Sequence, residues 1–171
     1  VVARDGIAVV VNPANRVNSI TLAQARDIFS GAAADWKAVG GAPGAVLPRE
    51  YADGARKSFE KLVLRGARLS GASLFQDSNG TIRESVARNP GAVGYISIGF
   101  LDPSVKALSL DGIAPTNENV LNGSYPLARP VFFLSRAAPT GAGREFTDFV
   151  LSPEGQAFIR DKGLIPVAAG T

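Results

Sequence analysis

Neither cysteine nor histidine occurs anywhere in the 171 residues. With no thiolate and no imidazole, Cys/His zinc sites, a cysteine nucleophile and a Ser-His-Asp triad are excluded. Only carboxylates, Lys, Tyr, Ser and Thr remain for chemistry. The absence of cysteine suits an export compartment, where stray thiols are a hazard, and suits a cytosolic chain nearly as well. Also missing is an apolar run of the roughly 18 residues that a membrane-spanning helix needs. The chain opens on Val1-Val2-Ala3-Arg4-Asp5 rather than on a charged, then apolar, then small-residue leader, as expected of a mature or trimmed form. Excess charge of one sign is scarce too, since 18 Lys and Arg against 15 Asp and Glu leave only +3. The nearest thing to a basic cluster, Arg65-Gly-Ala-Arg68, reads as a solvated loop, so no nucleic-acid partner is expected.

What is present suffices for a core. With 46% hydrophobic and 19% charged residues, the chain is expected to form one domain or lobes of something larger. Residues 6–12 are a continuous β-branched run stopped by Asn12-Pro13, the pattern of a buried strand in a parallel sheet covered on both faces. Thr21 with Gln24 is a capping box for a helix that places Leu22, Ala25, Ile28 and Phe29 on one face and stops at Gly31. Trp36, beside a Gly- and Pro-rich loop, is expected in the core rather than in a cleft wall.

A strand over 45–48 leads into a polar turn. A helix over 54–64 follows, with Phe59, Leu62 and Val63 inward and Asp53 at the N-cap. A second polar turn at 78–81 feeds a helix that ends at Asn89-Pro90-Gly91, and an apolar strand covers 92–98. Further strands are expected over 105–110 and, buried, over 131–135, with a short helix over 115–123 between them. Two helices, 143–151 and 153–162, close the chain, with Pro153 suited to N1 and Gly163 to C′. The alternation predicts an α/β fold, a doubly wound sheet flanked by helices.

The turn after the second strand is the candidate site. Helix N–H groups flanked by Arg49 and Arg56 combine orphan donors, a helix dipole and guanidinium forks, which together suit an anion.

The order of several motifs is also distinctive. It comprises Asp5-Gly-Ile-Ala-Val-Val-Val-Asn-Pro13, Ile28-Phe-Ser-Gly31, Asp35-Trp36 with Gly40-Gly41, and Arg49-Glu50 with Arg56 and Phe59. Then come Asn89-Pro-Gly-Ala-Val-Gly-Tyr95, Tyr125-Pro126 with Arg129-Pro130, and Ser152-Pro-Glu-Gly-Gln-Ala157. Together these resemble the phosphate-binding periplasmic proteins of ABC importers, of the type II solute-binding superfamily. The resemblance implies a periplasmic-binding-protein-like fold whose second lobe is residues 13–100, with 1–12 and 101–171 the crossover and the remainder of the first lobe. Hinges are then expected near Asn12 and over 100–105. It implies a protein that binds phosphate or a related oxyanion without catalysis and without a cofactor or metal. Its location would be periplasmic or extracellular, with a lipoprotein anchor in a full-length form, and it would serve ABC-importer membrane subunits. Family members carry further chain ahead of the Asp5-Gly6 strand, which supplies one side of the site. This chain is therefore expected to be a fragment, or a short form completed by a second chain.

By the same resemblance Arg49 makes a bidentate contact to the anion, and Gly54, Ala55 and Arg56 supply backbone N–H donors. The Arg56 side chain either reaches the anion or pairs with Glu50 or Asp53. The family pattern Arg-Glu-x-x-Ser-Gly-Thr-Arg is broken twice, by Asp53 for the Ser and Ala55 for the Thr, so two hydroxyl donors are lost. Asp53 can repel a dianion, can accept a hydrogen bond from a phosphate that keeps its proton, or can simply cap the helix. Two other functions stay open: a ligand-free sensor, adhesion or partner-binding domain, and a metal-dependent phosphomonoesterase, for which the sequence holds no carboxylate cluster at ligand spacing.

Overall fold

The structure, a computed structural model, describes residues 1–51 and 54–167. The β-branched run forms the long strand β1 (Ala3–Val11). After β2 (Ser19–Ile20) comes helix α1 (Leu22–Ser30). Thr21 Oγ1 accepts from the Gln24 N–H at 3.1 Å while Gln24 Oε1 accepts from the Thr21 N–H at 2.8 Å, and Gly31 ends the helix at φ +84°. A 3₁₀ turn over Trp36–Val39 buries the tryptophan, whose Nε1 donates to Gly91 O at 3.2 Å. Strand β3 (Leu47–Tyr51) precedes α2 (Gly54–Phe59), which continues as a wider π turn over Glu60–Leu64. Then follow β4 (Leu74–Gln76), α3 (Asn79–Arg88), β5 (Ala92–Ser97), β6 (Lys106–Ala107) and β7 (Ser109–Leu110). The chain closes with α4 (Asn117–Leu121), β8 (Ala128–Val131), α5 (Gly141–Leu151), α6 (Pro153–Asp161) and β9 (Ile165–Pro166).

The central sheet has the order β4-β3-β5-β1-β6, with helices on both faces. Strand β3 runs parallel to β4 and β5, as the alternation of strands and helices predicts, but β1 runs antiparallel to β5. The sheet is therefore mixed. A uniformly apolar strand reports burial on both faces, which β1 has, and says nothing of its direction. Its odd residues Ile7, Val9 and Val11 enter the larger core with Phe29, Phe59, Tyr95 and Leu108, and its even residues Ala8 and Val10 enter a second core with Ile82, Val86 and Ile96. In the larger core Phe59 stacks on Tyr95 with ring centroids 3.9 Å apart, and Phe29 meets Phe59 edge-on at 4.7 Å.

Strand β1 changes partners partway along. Ile7–Val11 pair with β5, and Val10 and Val11 also pair with β6, whereas Ala3–Gly6 pair with β8 and Ala3 and Arg4 with β9. The changeover lies between Gly6 and Ile7, ahead of Asn12, whose side chain instead donates to Val86 O and Ala87 O at the end of α3. A Cβ on Gly6 would fall 2.2 Å from Ile98 Cδ1 and 2.8 Å from Val120 Cγ2, so a larger residue at the changeover would have to displace both side chains. Residue Asp5 beside it is 2% exposed and holds both halves together. It accepts from Ser97 Oγ of β5 at 2.6 Å and from Arg129 Nε and Nη2 of β8 at 2.9 and 2.8 Å. Strands β6 and β7 still pair with β1 and β2, so the chain reaches the other half only with β8.

Two expected strands differ. The 105–110 segment is two short strands in different sheets, because Leu108 between them turns into the larger core. The 131–135 segment is not a buried strand. The ladder ends at Val131, and Phe132, Phe133 and Leu134 are 51%, 47% and 89% exposed. Helix α5 buries none of its residues, and Phe146, Phe149 and Phe158 of the closing helices are also exposed. An apolar run predicts burial only if enough packs on it, and here Phe133 meets only the half-exposed ring of Phe146, at 5.5 Å between centroids, while Phe149 meets Phe158 at 6.4 Å.

Candidate functional site

Strand β3 sends alternate side chains to opposite faces of the sheet. Arg49 points to the α3 face and is 6% exposed. Its Nε donates to Ser85 Oγ at 2.7 Å, and its Nη1 donates to Pro48 O at 3.1 Å and Leu47 O at 3.3 Å. Among the described residues its acceptors are a hydroxyl and two carbonyls, and none is a carboxylate. Burial lowers its pKa from the ordinary arginine value. Arg49 borders a recess of about 450 Å³ with Gln76, Thr81, Ser85, Asn89 and the Glu84–Arg88 ion pair.

Arg56, in the first turn of α2, faces elsewhere. Its Nε donates to Glu60 Oε1 at 2.7 Å, and its guanidinium carbon lies 5.1 Å from the centre of the Phe75 ring. The hydrogen bond to Glu60 is the main reason its pKa is raised. The side-chain partner is thus Glu60, one turn along the same helix, rather than Glu50. The two arginines border separate recesses, that of Arg56 being shared with Leu64, Ala67 and Arg68. Gly54 opens α2 and Ala55 is buried in its first turn, where a helix has N–H groups without intrahelical partners. Residue Asp53 lies outside the described residues. Arg49 and the first turn of α2 thus flank one strand-turn-helix junction in the chain, but the Arg49 side chain extends onto the α3 face and the Arg56 side chain turns to Glu60.

The second polar turn is occupied by its own cap. Ser78 Oγ accepts from the Thr81 N–H, and Thr81 Oγ1 accepts from the Ser78 N–H, each at 3.1 Å. Among the described residues no group of three or more carboxylates is placed to hold a metal ion.

One residue at the junction was read from the sequence only as a motif position and an alternative partner of Arg56. Glu50, on the α2 face of β3, has no exposed surface. Its Oε1 accepts from Ser73 Oγ at 3.4 Å, the Tyr95 side chain also hydrogen-bonds the carboxyl, and Oε2 has no partner among the described residues. Burial raises its pKa from 4.5 to about 7, against the opposing effects of Tyr95, Ser73 and Arg56. The available signal was the two-residue alternation, which sets Glu50 on the same face as the Phe59–Tyr95 core.

Comparison with known proteins places these features in a family. A model of the PBP superfamily domain matches residues 1–154. The phosphate-binding protein PstS of Bacillus subtilis is 35% identical over 170 residues, covering 97% of this chain and 56% of that protein. The chain thus spans about half the length of the curated relatives it matches. Among solved structures, a protein described as a phosphate ABC transporter substrate-binding protein with bound phosphate, from Clostridium perfringens, superposes with a TM-score of 0.83. It is 37% identical, over 98% of this chain and 70% of that one. An ABC-type phosphate transport receptor from Vibrio cholerae gives a TM-score of 0.84 at 33% identity, over 96% of this chain and 70% of that one.

Proposed function

Because this chain belongs to the PBP superfamily, among the phosphate-binding proteins of ABC importers, we propose that it is part of an exported receptor that binds phosphate or a related oxyanion and performs no chemistry on it. The observation that carries the proposal is the buried Arg49 cation, which meets only neutral acceptors among the described residues. A desolvated guanidinium is stabilised by an anion far more than by a hydroxyl or a carbonyl. A tetrahedral anion offers its fork two oxygens, while the N–H groups of Gly54, Ala55 and Arg56 and the dipole of the 54–64 helical segment add directional donors. From its sequence position alone, Asp53, outside the described residues, is assigned to selectivity or capping.

The partners follow from the same reading. The receptor hands its anion to the membrane subunits of an ABC importer, from the periplasm or the outer surface, where a lipoprotein anchor would keep it close. The other wall of the cleft is supplied by polypeptide beyond these 171 residues, in the same protein or in a second chain. The support for this is the exposed apolar face formed by Phe132, Phe133, Leu134, Phe146, Phe149 and Phe158. Lobe motion would be taken up at the β1 changeover by Gly6.

The test is calorimetric titration of the complete protein with inorganic phosphate. Arg49→Ala is expected to remove measurable binding, and unchanged affinity in this variant rejects the site.

A further inference from the structure

Glu50 stands in the chain between Arg49 on β3 and the start of α2, with its side chain on the sheet face opposite that of Arg49. A buried ionised carboxylate needs donors on both oxygens. Here Ser73 and Tyr95 are the only described donors and Oε2 has none, so the surroundings favour the neutral acid, with a pKa of about 7.

The charged and titratable groups facing it can be named by element. Arg56 and Glu60 come from α2 and its π turn; they act on Glu50 in opposite directions and are bonded to each other. Tyr95 comes from β5 and Ser73 from the loop before β4. The register neighbour on β4, Phe75, is apolar, and Arg49 extends to the other face of the sheet. Asp53 lies outside the described residues.

A neutral Glu50 leaves the field at the turn to Arg49 and the helix dipole. An ionised Glu50 would set a buried negative charge across the strand from Arg49 and beside Arg56, which works against an incoming anion. We infer that Glu50 is a positioning residue whose proton is required for anion binding at the β3–α2 turn, so that binding takes up a proton through this carboxyl. The inference rests on the anion site proposed above. By linkage, affinity falls about tenfold for each pH unit once Glu50 has ionised.

The experiment is calorimetry of inorganic phosphate binding to the complete protein and to its Glu50→Gln variant, near pH 7, in buffers of different ionisation enthalpy. Phosphate's own titration is common to both proteins and cancels in their difference. The wild type is expected to take up roughly half a proton more per phosphate than the variant. Glu50→Gln is expected to match the wild type at acidic pH and to bind more than about tenfold tighter in alkaline buffer. Equal proton uptake with parallel pH profiles overturns the inference and leaves the anion site standing. Absence of phosphate binding in both proteins overturns the anion site and, with it, the coupling. A ligand-free titration of ¹³C-labelled glutamate side chains separates these outcomes. The Glu50 resonance is expected to titrate near neutrality, and titration in the ordinary carboxylate range overturns the inference whatever the anion does. Should Glu50→Gln fail to fold, the backbone-assigned wild-type resonance still decides the matter.

Discussion

Replacing Arg129 by Met isolates the bond that joins the two halves of the molecule. Asp5 is 2% exposed, and its carboxylate is satisfied by Ser97 Oγ on one oxygen and by both Nε and Nη2 of Arg129 on the other. Removing the guanidinium leaves a buried carboxylate with one donor. Breaking a fully buried pair in this way costs about 3 to 5 kcal/mol. Because the Arg129 side chain is 31% exposed, water can reach part of the space it vacates, which brings the expected cost to about 2 to 3 kcal/mol. Asp5→Asn removes the charge at the buried end instead. The Ser97 bond survives and the partly exposed Arg129 can turn to water, so about 1 to 2 kcal/mol is expected. Urea unfolding of both single variants and of the double variant measures these values and their coupling. In a chain of 171 residues, the loss in Arg129→Met corresponds to a fall in Tm of roughly 5 to 10 °C. A smaller loss in Arg129→Met than in Asp5→Asn would refute the reasoning, since it would mean that Asp5 is not held as a charge that depends on its partner.

Two further outcomes concern stability. The folded-state pKa of Glu50 is raised from 4.5 to about 7, so the native state holds more protons between those values. Its stabilising contribution is fully present below the lower value and is lost as pH rises through the upper one, at up to about 1.4 kcal/mol per pH unit. Urea titrations at a series of pH values should show this slope in wild type and a flatter profile in Glu50→Gln; identical slopes would discard it. Burial also orders the phenylalanines. Phe59→Ala, at a fully buried ring stacked on Tyr95, is expected to cost about 3 to 5 kcal/mol, whereas Phe149→Ser, at a ring 44% exposed, should cost less than about 1 kcal/mol in this chain. Equal losses in denaturant unfolding would contradict the assignment of the core.

Local signals were legible where they concern local physics. The Thr21–Gln24 capping box, the left-handed stop at Gly31, Pro153 in the first turn of α6 and the buried Gly6–Val11 run of β1 all follow from neighbouring residues. The Arg49-to-Arg56 turn was legible as an anion-friendly junction for the same reason. Side-chain direction at that turn was not. Arg56 could be assigned to an anion, to Glu50 or to Asp53 with equal ease, and the helical spacing to Glu60 decided its side-chain bond at 2.7 Å. The special environment of Glu50 depends on Tyr95 and Ser73, which are 45 and 23 positions away along the chain and are brought together only by the β3–β5 and β3–β4 pairings.

The amino-acid order by itself determined the helices α1 to α6 and the strands β1 and β5, the exclusion of thiol and imidazole chemistry, and the family. Periodicity, caps and motifs are properties of adjacent residues and survive without coordinates. Only the tertiary structure decided that β1 runs antiparallel and exchanges partners at Gly6, that Asp5 bridges Ser97 and Arg129, and that the Phe132–Leu134 run lies open. Each of these depends on what packs against a residue from far along the chain, and an apolar or charged side chain carries no mark of its distant partner. Direction, pairing and the ionisation of a buried acid are therefore written in contacts rather than in composition.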